Sequence, residues 1–422
     1  MTAASGKTEP DADVIVIGAG IIGISAAVEM QARGQKVMVL DKTSVAAGTS
    51  QGNAGAFAFS DATPLASPGI MKKAPKWLLD PLGPLSIPPA YALKIAPWLY
   101  RFWRASRPEK VQNGIRALVA LMQLSKSHLI PFMEMSGTES MLRRHGNLQL
   151  FESRKHFEAT FPSWRARAAY GVKFTHLHSA EEIAEHQPGL SPKFVAATFT
   201  DDWYGISDPK DYTVRLGEVF AERGGDIRIG EAVRLSTGTE MATVTLADGT
   251  KLRARKIVVS AGAWSHFLAR TLGDHIPLET ERGYNTTLPP GAFDLKRQLS
   301  FEEHGFVVSP LSSGVRVGGS VELGGLKLPP DFRRADVLLH KAKEFLPDLK
   351  LEGGRRWMGF RPSLPDSLPV IGPSGSSDRV IYAFGHGHLG LTQSAGTAAL
   401  VSALVCGDDM PVDMTPYSSG RF

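Results

Sequence analysis

The chain has 422 residues, 43% of them hydrophobic and 21% charged, with a formal net charge of +5. That length exceeds what one core usually organises and predicts two domains of an ordinary globular protein. A single cysteine, Cys406, excludes an internal disulfide and a cysteine metal cluster. No run approaches the ~18 apolar residues of a membrane span, and the opening lacks the basic and apolar regions of a signal peptide, so a cytoplasmic location is expected.

Residues 13–42 read as strand, glycine turn, helix, strand. "DVIVI" is a continuous apolar run suited to a strand covered on both faces, "GISAAVEMQARG" a helix with a glycine stop, and "KVMVL" the next strand. The glycine-rich connection "AAGTSQGNAGAF" (46–57) follows. Residues 66–110 then hold eight Lys/Arg against two acids, a net +6, so the basic excess is local. Trp77, Tyr91, Trp98, Tyr100, Phe102 and Trp103 are interleaved with it. A helix is expected from about 111 to 135, and strands at "GNLQLF" (146–151) and "GVKFTHL" (171–177). "SAEEIAEHQPGL" opens with Ser179 and Glu182 at capping-box spacing.

From about 205 the pattern resembles the opening again. A helix to about 223 leads to "IRIGEAVRL", a hairpin with an Asp-Gly turn, "TVTLADGTKLRA", and the strand "KIVVSAGAW". Strand-rich sequence over 276–323 includes a hairpin around Ser313 and Gly314, and a helix is expected near 334–346. "RVIYAFGHGHLGLTQSAGTAALVSALV" closes the chain as strand, glycine turn and small-residue helix. Two segment types alternate, which predicts two interleaved domains. The fold expected is α/β, with a Rossmann-like domain from 1–65, 205–275 and 357–422. An α+β substrate domain on a mostly antiparallel sheet takes 66–204 and 276–356.

Gly18, Gly20 and Gly23 form G-x-G-x-x-G between strand and helix, with Asp41 eighteen residues after the third glycine. The first glycine permits the turn and the second lets a pyrophosphate approach the backbone. The third packs helix on strand, and the helix N-terminus attracts the anion. An acid after the second strand suits a ribose hydroxyl pair, so a dinucleotide is expected. NAD and FAD both satisfy this pattern. "IVVSAGAWS" (257–265), a strand ending in small residues, and "AFGHGHLGLT" (383–392), a glycine turn before a helix, favour FAD: backbone amides there would stabilise charge gained by a reduced flavin. Arg361, in "MGFRPSLPD", lies between an aromatic residue and a proline in a stretch that reads as buried. A guanidinium there needs a negative partner, either Asp366 nearby or a group from solution.

Taken together, "VIGAGIIG", "TSQGNAGAF", "ERGYN", "VRVGGSVELGG", "GFRPSLPDSLPVIGP" and "GHGHLGLT" resemble the FAD-dependent D-amino acid oxidase family, in family order and over nearly the whole chain. The nearest likeness is to the small FAD-carrying subunit of bacterial D-amino acid and D-hydroxyproline dehydrogenases. The resemblance implies that Arg361 binds the carboxylate of an amino acid substrate, with Tyr284 and His388 beside it. It implies that FAD is held by Gly18, Gly20, Ile21, Ile22, Gly23, Asp41 and Lys42, and by Thr49, Ser50, Gly52, Asn53, Ala54 and Gly55. Val233, Ala261, Gly262 and Trp264, then Gly387, His388, Leu389, Gly390, Leu391 and Thr392, complete the set. The side chain of Val233 is expected only to pack. Gly359 stands where covalent relatives have a cysteine, so the FAD is expected to be non-covalent. Arg316 stands where oxygen-using relatives carry a lysine, which leaves oxygen or a membrane quinone as electron acceptor.

The implied reaction is hydride transfer from the α-carbon of a D-amino acid, or of a cyclic or N-substituted amino acid, to the flavin. No metal and no nucleic acid are expected. The 66–110 patch suits either peripheral contact with a bilayer or a lid or subunit contact. Two rival readings remain: a flavin-dependent tRNA-modifying amine oxidase and a non-catalytic flavoprotein subunit.

Overall fold

The computed structural model describes residues 9–67, 83 and 85–422. Lys72, Lys73, Lys76 and Trp77 of the basic patch lie outside the described residues.

Alternation in the first strand, Ala12–Ile17, organises one half of the molecule. Val14 and Val16 point to one face, Ile15 and Ile17 to the other, and all four are buried. Such a strand must sit centrally, and it does, parallel to Val37–Asp41 on one side and Lys251–Val259 on the other. The eight-stranded sheet continues outward in two directions. Asp226–Ile229 extends one edge in parallel, while Ala242–Leu246 and Ala232–Thr237 form an antiparallel meander on the other. Val380–Phe384 runs parallel to the end of Lys251–Val259 and carries Val370–Pro373 antiparallel beside it.

Helices Ile21–Ala32, Pro209–Glu222 and Ser394–Cys406 cover the Val14 and Val16 face, through Ile24, Leu216, Phe220, Leu400 and Val401. Burying each side chain of that size contributes roughly 1.5–3 kcal/mol. The long helix Pro108–Ser136 joins the same core through Leu118, Leu121 and Met122.

A nine-stranded sheet makes the other half, in the order Arg355–Ser363, Glu279–Leu288, Gly314–Glu322, Phe306–Leu311, Gln298–Phe301, Asn147–Phe151, Ala196–Thr200 and Thr175–Leu177. Leu85–Ser86 pairs with Gly314–Glu322 off this path. Pairing is antiparallel except at Leu85–Ser86 and between Gln298–Phe301 and Asn147–Phe151. One face is closed by helix Arg333–Phe345, with Leu338, Ala342 and Phe345 against Leu299, Phe301 and Val317. The opposite face carries Gln298, Ser300, Arg316 and Gly318, and it looks into the cavity described below.

Expected elements differ from the structure in two places. Arg355–Ser363, grouped by sequence with the FAD-binding segments from 357, pairs along its whole length with Glu279–Leu288 of the second sheet. The strand expected over 171–177 is confined to Thr175–Leu177. Of the capping box, the serine half forms, with the Glu182 amide donating to Ser179 Oγ at 3.2 Å, while the Glu182 carboxylate accepts the His178 amide instead of that of Ser179.

Candidate active site

Gly18 adopts a φ of +109°, and a Cβ there would lie 2.4 Å from the Ser260 carbonyl oxygen. A Cβ on Gly23 would lie 1.9 Å from the Gly18 carbonyl oxygen. Strand, turn and helix therefore touch backbone to backbone, and Ser260 Oγ stitches them by donating to the Ile17 carbonyl at 3.0 Å. Asp41 Oδ2 accepts the Ala19 amide at 2.8 Å, and Ser50 Oγ accepts the Ile21 amide at 3.0 Å. This turn forms one end of a cavity of about 940 Å³ that also reaches Arg361.

Nearly all the residues expected from the sequence meet on its wall. Gly18, Gly20, Ile21, Ile22, Asp41, Lys42, Thr49, Ser50, Gly52, Asn53 and Ala54 line it, as do Val233, Ala261, Gly262, Trp264 and residues 387–392. Gly23 and Gly55 lie behind it, Gly23 packing helix on turn and Gly55 (φ +73°) facing Leu311. The Val233 side chain, expected to pack, is 46% exposed. Lys42 Nζ sits 3.8 Å over the Trp264 ring, which meets Phe360 edge to face at 5.6 Å.

The loop 49–54 is held from the second sheet. Thr49 Oγ1 donates to the Phe360 carbonyl at 2.7 Å, and Asn285 Nδ2 to the Gly52 carbonyl at 3.0 Å. Arg316 Nη1 donates to the carbonyls of Gln51 (3.2 Å) and Asn53 (2.5 Å), and its Nε to Thr287 Oγ1 at 2.9 Å. Burial pulls the Arg316 guanidinium below its ordinary pKa, with Asp208 opposing. The side chain standing in the lysine position is thus committed to the loop backbone.

Arg361 extends across Gly283 of the neighbouring strand, where a Cβ would lie 2.3 Å from Nη2. Its Nη1 donates to the Ser320 carbonyl at 3.0 Å. Ser320 has a φ of +61°, next to a register shift in the pairing of Glu279–Leu288 with Gly314–Glu322. Strain of about 1–3 kcal/mol at such a residue is tolerated where it turns a group toward a site. Burial lowers the Arg361 pKa, with Glu281 opposing. Asp366, the internal partner weighed from sequence, pairs with Arg421 instead, at 2.7 and 3.2 Å. Among the described residues no carboxylate lies within 4.0 Å of the Arg361 guanidinium.

Tyr284 lies on the cavity wall, but its hydroxyl donates to Glu322 Oε2 at 2.5 Å and accepts the Asp331 amide at 3.0 Å. The donor expected to reach a substrate carboxylate is used inside the protein. Burial first, then the Glu322 hydrogen bond, pushes the phenol up to about 12. His388 Nε2 stands 3.2 Å from Asp61 Oδ2, a neighbour that sequence spacing does not show. Burial works to raise the Asp61 pKa, but the hydrogen bond and charge of His388, together with Arg167, outweigh it and hold the carboxyl below its ordinary range.

His386 faces inward, with Nε2 3.0 Å from Thr397 Oγ1, and burial takes its pKa down to about 3. The unfolded chain gains a proton at this residue below about pH 6.5, whereas the folded chain does not. Its stabilising share is therefore complete above pH 6.5 and is lost as pH falls toward 3. Thermal melts at pH 7 and pH 5 should show His386→Asn losing about 2 kcal/mol less than wild type; parallel losses would contradict this.

Comparison with known proteins fits this geometry. Residues 13–404 match the FAD dependent oxidoreductase (DAO) family. The chain belongs to that family. A D-amino-acid oxidase of Bradyrhizobium diazoefficiens is 32% identical over 97% of this chain and 98% of its own. A D-amino acid dehydrogenase of Rhizobium johnstonii is 29% identical over 97% and 99%. The crystal structure of glycine oxidase from Geobacillus kaustophilus superposes with a TM-score of 0.79 at 19% identity, covering 98% of this chain and all of that one. The protein is an FAD-dependent oxidoreductase, and the cavity fits the group: Gly18 and Gly20 line it as bare backbone without side chains, and Asp41 stands on the wall at the end of the second strand.

Proposed function

We propose that the protein oxidises the α-C–N bond of a D-amino acid, or of a cyclic or N-substituted amino acid such as D-proline, hydroxy-D-proline or an iminodiacetate-like glycine derivative. FAD, when bound, supplies the hydride acceptor, N5 of its ring. The Gly18–Gly20 turn and the first amides of helix Ile21–Ala32 would hold its pyrophosphate, Asp41 a ribose, and the stretches 52–54 and 387–392 its ring. With Gly359 rather than cysteine before the arginine motif, attachment is non-covalent.

The reading rests on Arg361. A half-buried guanidinium in the cofactor cavity, without a carboxylate partner among the described residues, offers its fork to an incoming carboxylate. Gripping that group fixes the α-carbon next to it, so orientation rather than a protein base contributes most of the rate. The imine hydrolyses in water, or persists when cyclic. Mixing the oxidised holoenzyme anaerobically with D-alanine, D-proline, hydroxy-D-proline and iminodiacetate tests this: at least one should bleach the flavin band, and bleaching by none rejects the proposal. Admitting air then times reoxidation and separates oxygen from a quinone as acceptor.

A second observation favours a membrane-linked acceptor. Helix Ala92–Ala105 buries Ile95 and Trp98 against Leu323, yet exposes Leu93 (92%), Tyr100 (58%) and Trp103 (45%) among Lys94, Arg101 and Arg104. Aromatics flanked by cations suit a bilayer interface, each cation contributing about 1 kcal/mol near anionic lipid. Wild type should float with phosphatidylserine vesicles, and a Lys94→Gln/Arg101→Gln/Arg104→Gln variant should bind at least about tenfold less. Equal flotation removes this reading.

A further inference from the structure

The strand Glu279–Leu288 carries two charged neighbours with opposite fates. Arg282 is fully enclosed and saturated: Nε donates to the Gly325 carbonyl at 2.7 Å, Nη2 to the Leu328 carbonyl at 2.7 Å, and Nη1 to Glu322 and the Pro329 carbonyl. It is structural. Glu281, one residue earlier and on the opposite face, is 5% exposed and lines the cavity. Its carboxylate has no hydrogen-bond or ion-pair partner among the described residues. A nearly buried carboxylate without a donor is costly, as is a half-buried guanidinium without an anion.

Glu281 and Arg361 stand directly opposite each other in the antiparallel register. Paired residues project to the same face with Cβ atoms about 5 Å apart. The two charges act on each other, since Glu281 opposes the lowering of the Arg361 pKa, yet they do not close into an ion pair within 4.0 Å. The cavity wall therefore presents one cation and one anion side by side, each open. A molecule that satisfies both carries a carboxylate and an ammonium on one carbon atom.

We propose that Glu281 binds the substrate's α-amino group while Arg361 binds its carboxylate, so that this cross-strand couple recognises a zwitterionic α-amino acid. The inference rests on the role proposed for Arg361 and adds a second point of attachment. Two fixed substituents leave the α-carbon free only to rotate about the line joining them. The couple thereby selects which remaining substituent, hydrogen or side chain, faces the flavin side of the cavity.

The test compares amine-bearing probes with amine-free ones of the same shape on the FAD-loaded enzyme. Propionate and cyclopentanecarboxylate are titrated by perturbation of the flavin spectrum, and D-alanine and D-proline by anaerobic reduction. Glu281→Gln should bind the two plain acids within about twofold of wild type and weaken the amino acid that reduces the flavin by about 10- to 100-fold. Glu281→Asp, which keeps the charge on a shorter stem, should recover part of that loss. Equal losses for both probe types, no loss for either, or failure of Asp to recover any binding would overturn the role of Glu281. Plain acids that bind wild type and Arg361→Ala equally well would instead overturn the Arg361 reading, a separable result.

Discussion

Arg361→Ala is expected to lower kcat/KM for the flavin-reducing amino acid by about 10³-fold while leaving the flavin bound. The figure follows from removing one partner of a desolvated, forked charge pair, which costs about 3–5 kcal/mol. The loss should appear in both KM and kcat, because the arginine places the α-carbon as well as attracting the substrate. Arg361→Lys keeps a charge but not the fork, and the shorter reach across Gly283 should leave it about 10²-fold down. Added guanidinium ion should restore part of the Ala variant's activity by occupying the vacated space above Gly283. Steady-state kinetics of holoenzyme matched by flavin absorbance decides the matter: a loss below about threefold would show that the carboxylate is held elsewhere.

The second large effect belongs to the cofactor turn. Gly18→Ala meets two penalties at once, a φ of +109° and a methyl 2.4 Å from a backbone oxygen of the adjoining strand. Neither the strand nor Ser260 can yield, since both sit in the centre of the sheet. Gly34→Ala is the matched control, with a φ of +82° and nothing within 4 Å of the added carbon. The control should cost about 1 kcal/mol and keep its flavin. The Gly18 variant should lose more than about 3 kcal/mol and purify largely without flavin, as read by denaturant melts and by the ratio of flavin to protein absorbance. Equal behaviour of the pair would mean that close approach at the turn contributes nothing.

What the sequence makes legible is local. Glycine spacing, strand alternation and the small-residue helix depend on neighbours a few positions apart, so the cofactor turn, the Asp-Gly hairpin and the arginine motif are readable directly. The couple of Glu281 and Arg361 is not, because strand register between positions 80 apart in the chain creates it. Tyr284 shows the converse. Its place on the cavity wall is foreseeable from "ERGYN", but the direction of its hydroxyl depends on Glu322 across the bulged pairing. Asp61 and His388 likewise meet only because Ala56–Ala58 packs beside the glycine turn, where Thr392 Oγ1 accepts the Ala58 amide.

The ties of Phe360, Asn285 and Arg316 to loop 49–54 bear on how the protein assembles. A nucleotide half of this kind could in principle mature before the remainder of the chain arrives. Here loop 49–54 is tied by hydrogen bonds to strands encoded 233 to 311 residues later. Capture of the yellow chromophore is therefore expected late in maturation, after those strands have been made and have docked on the loop.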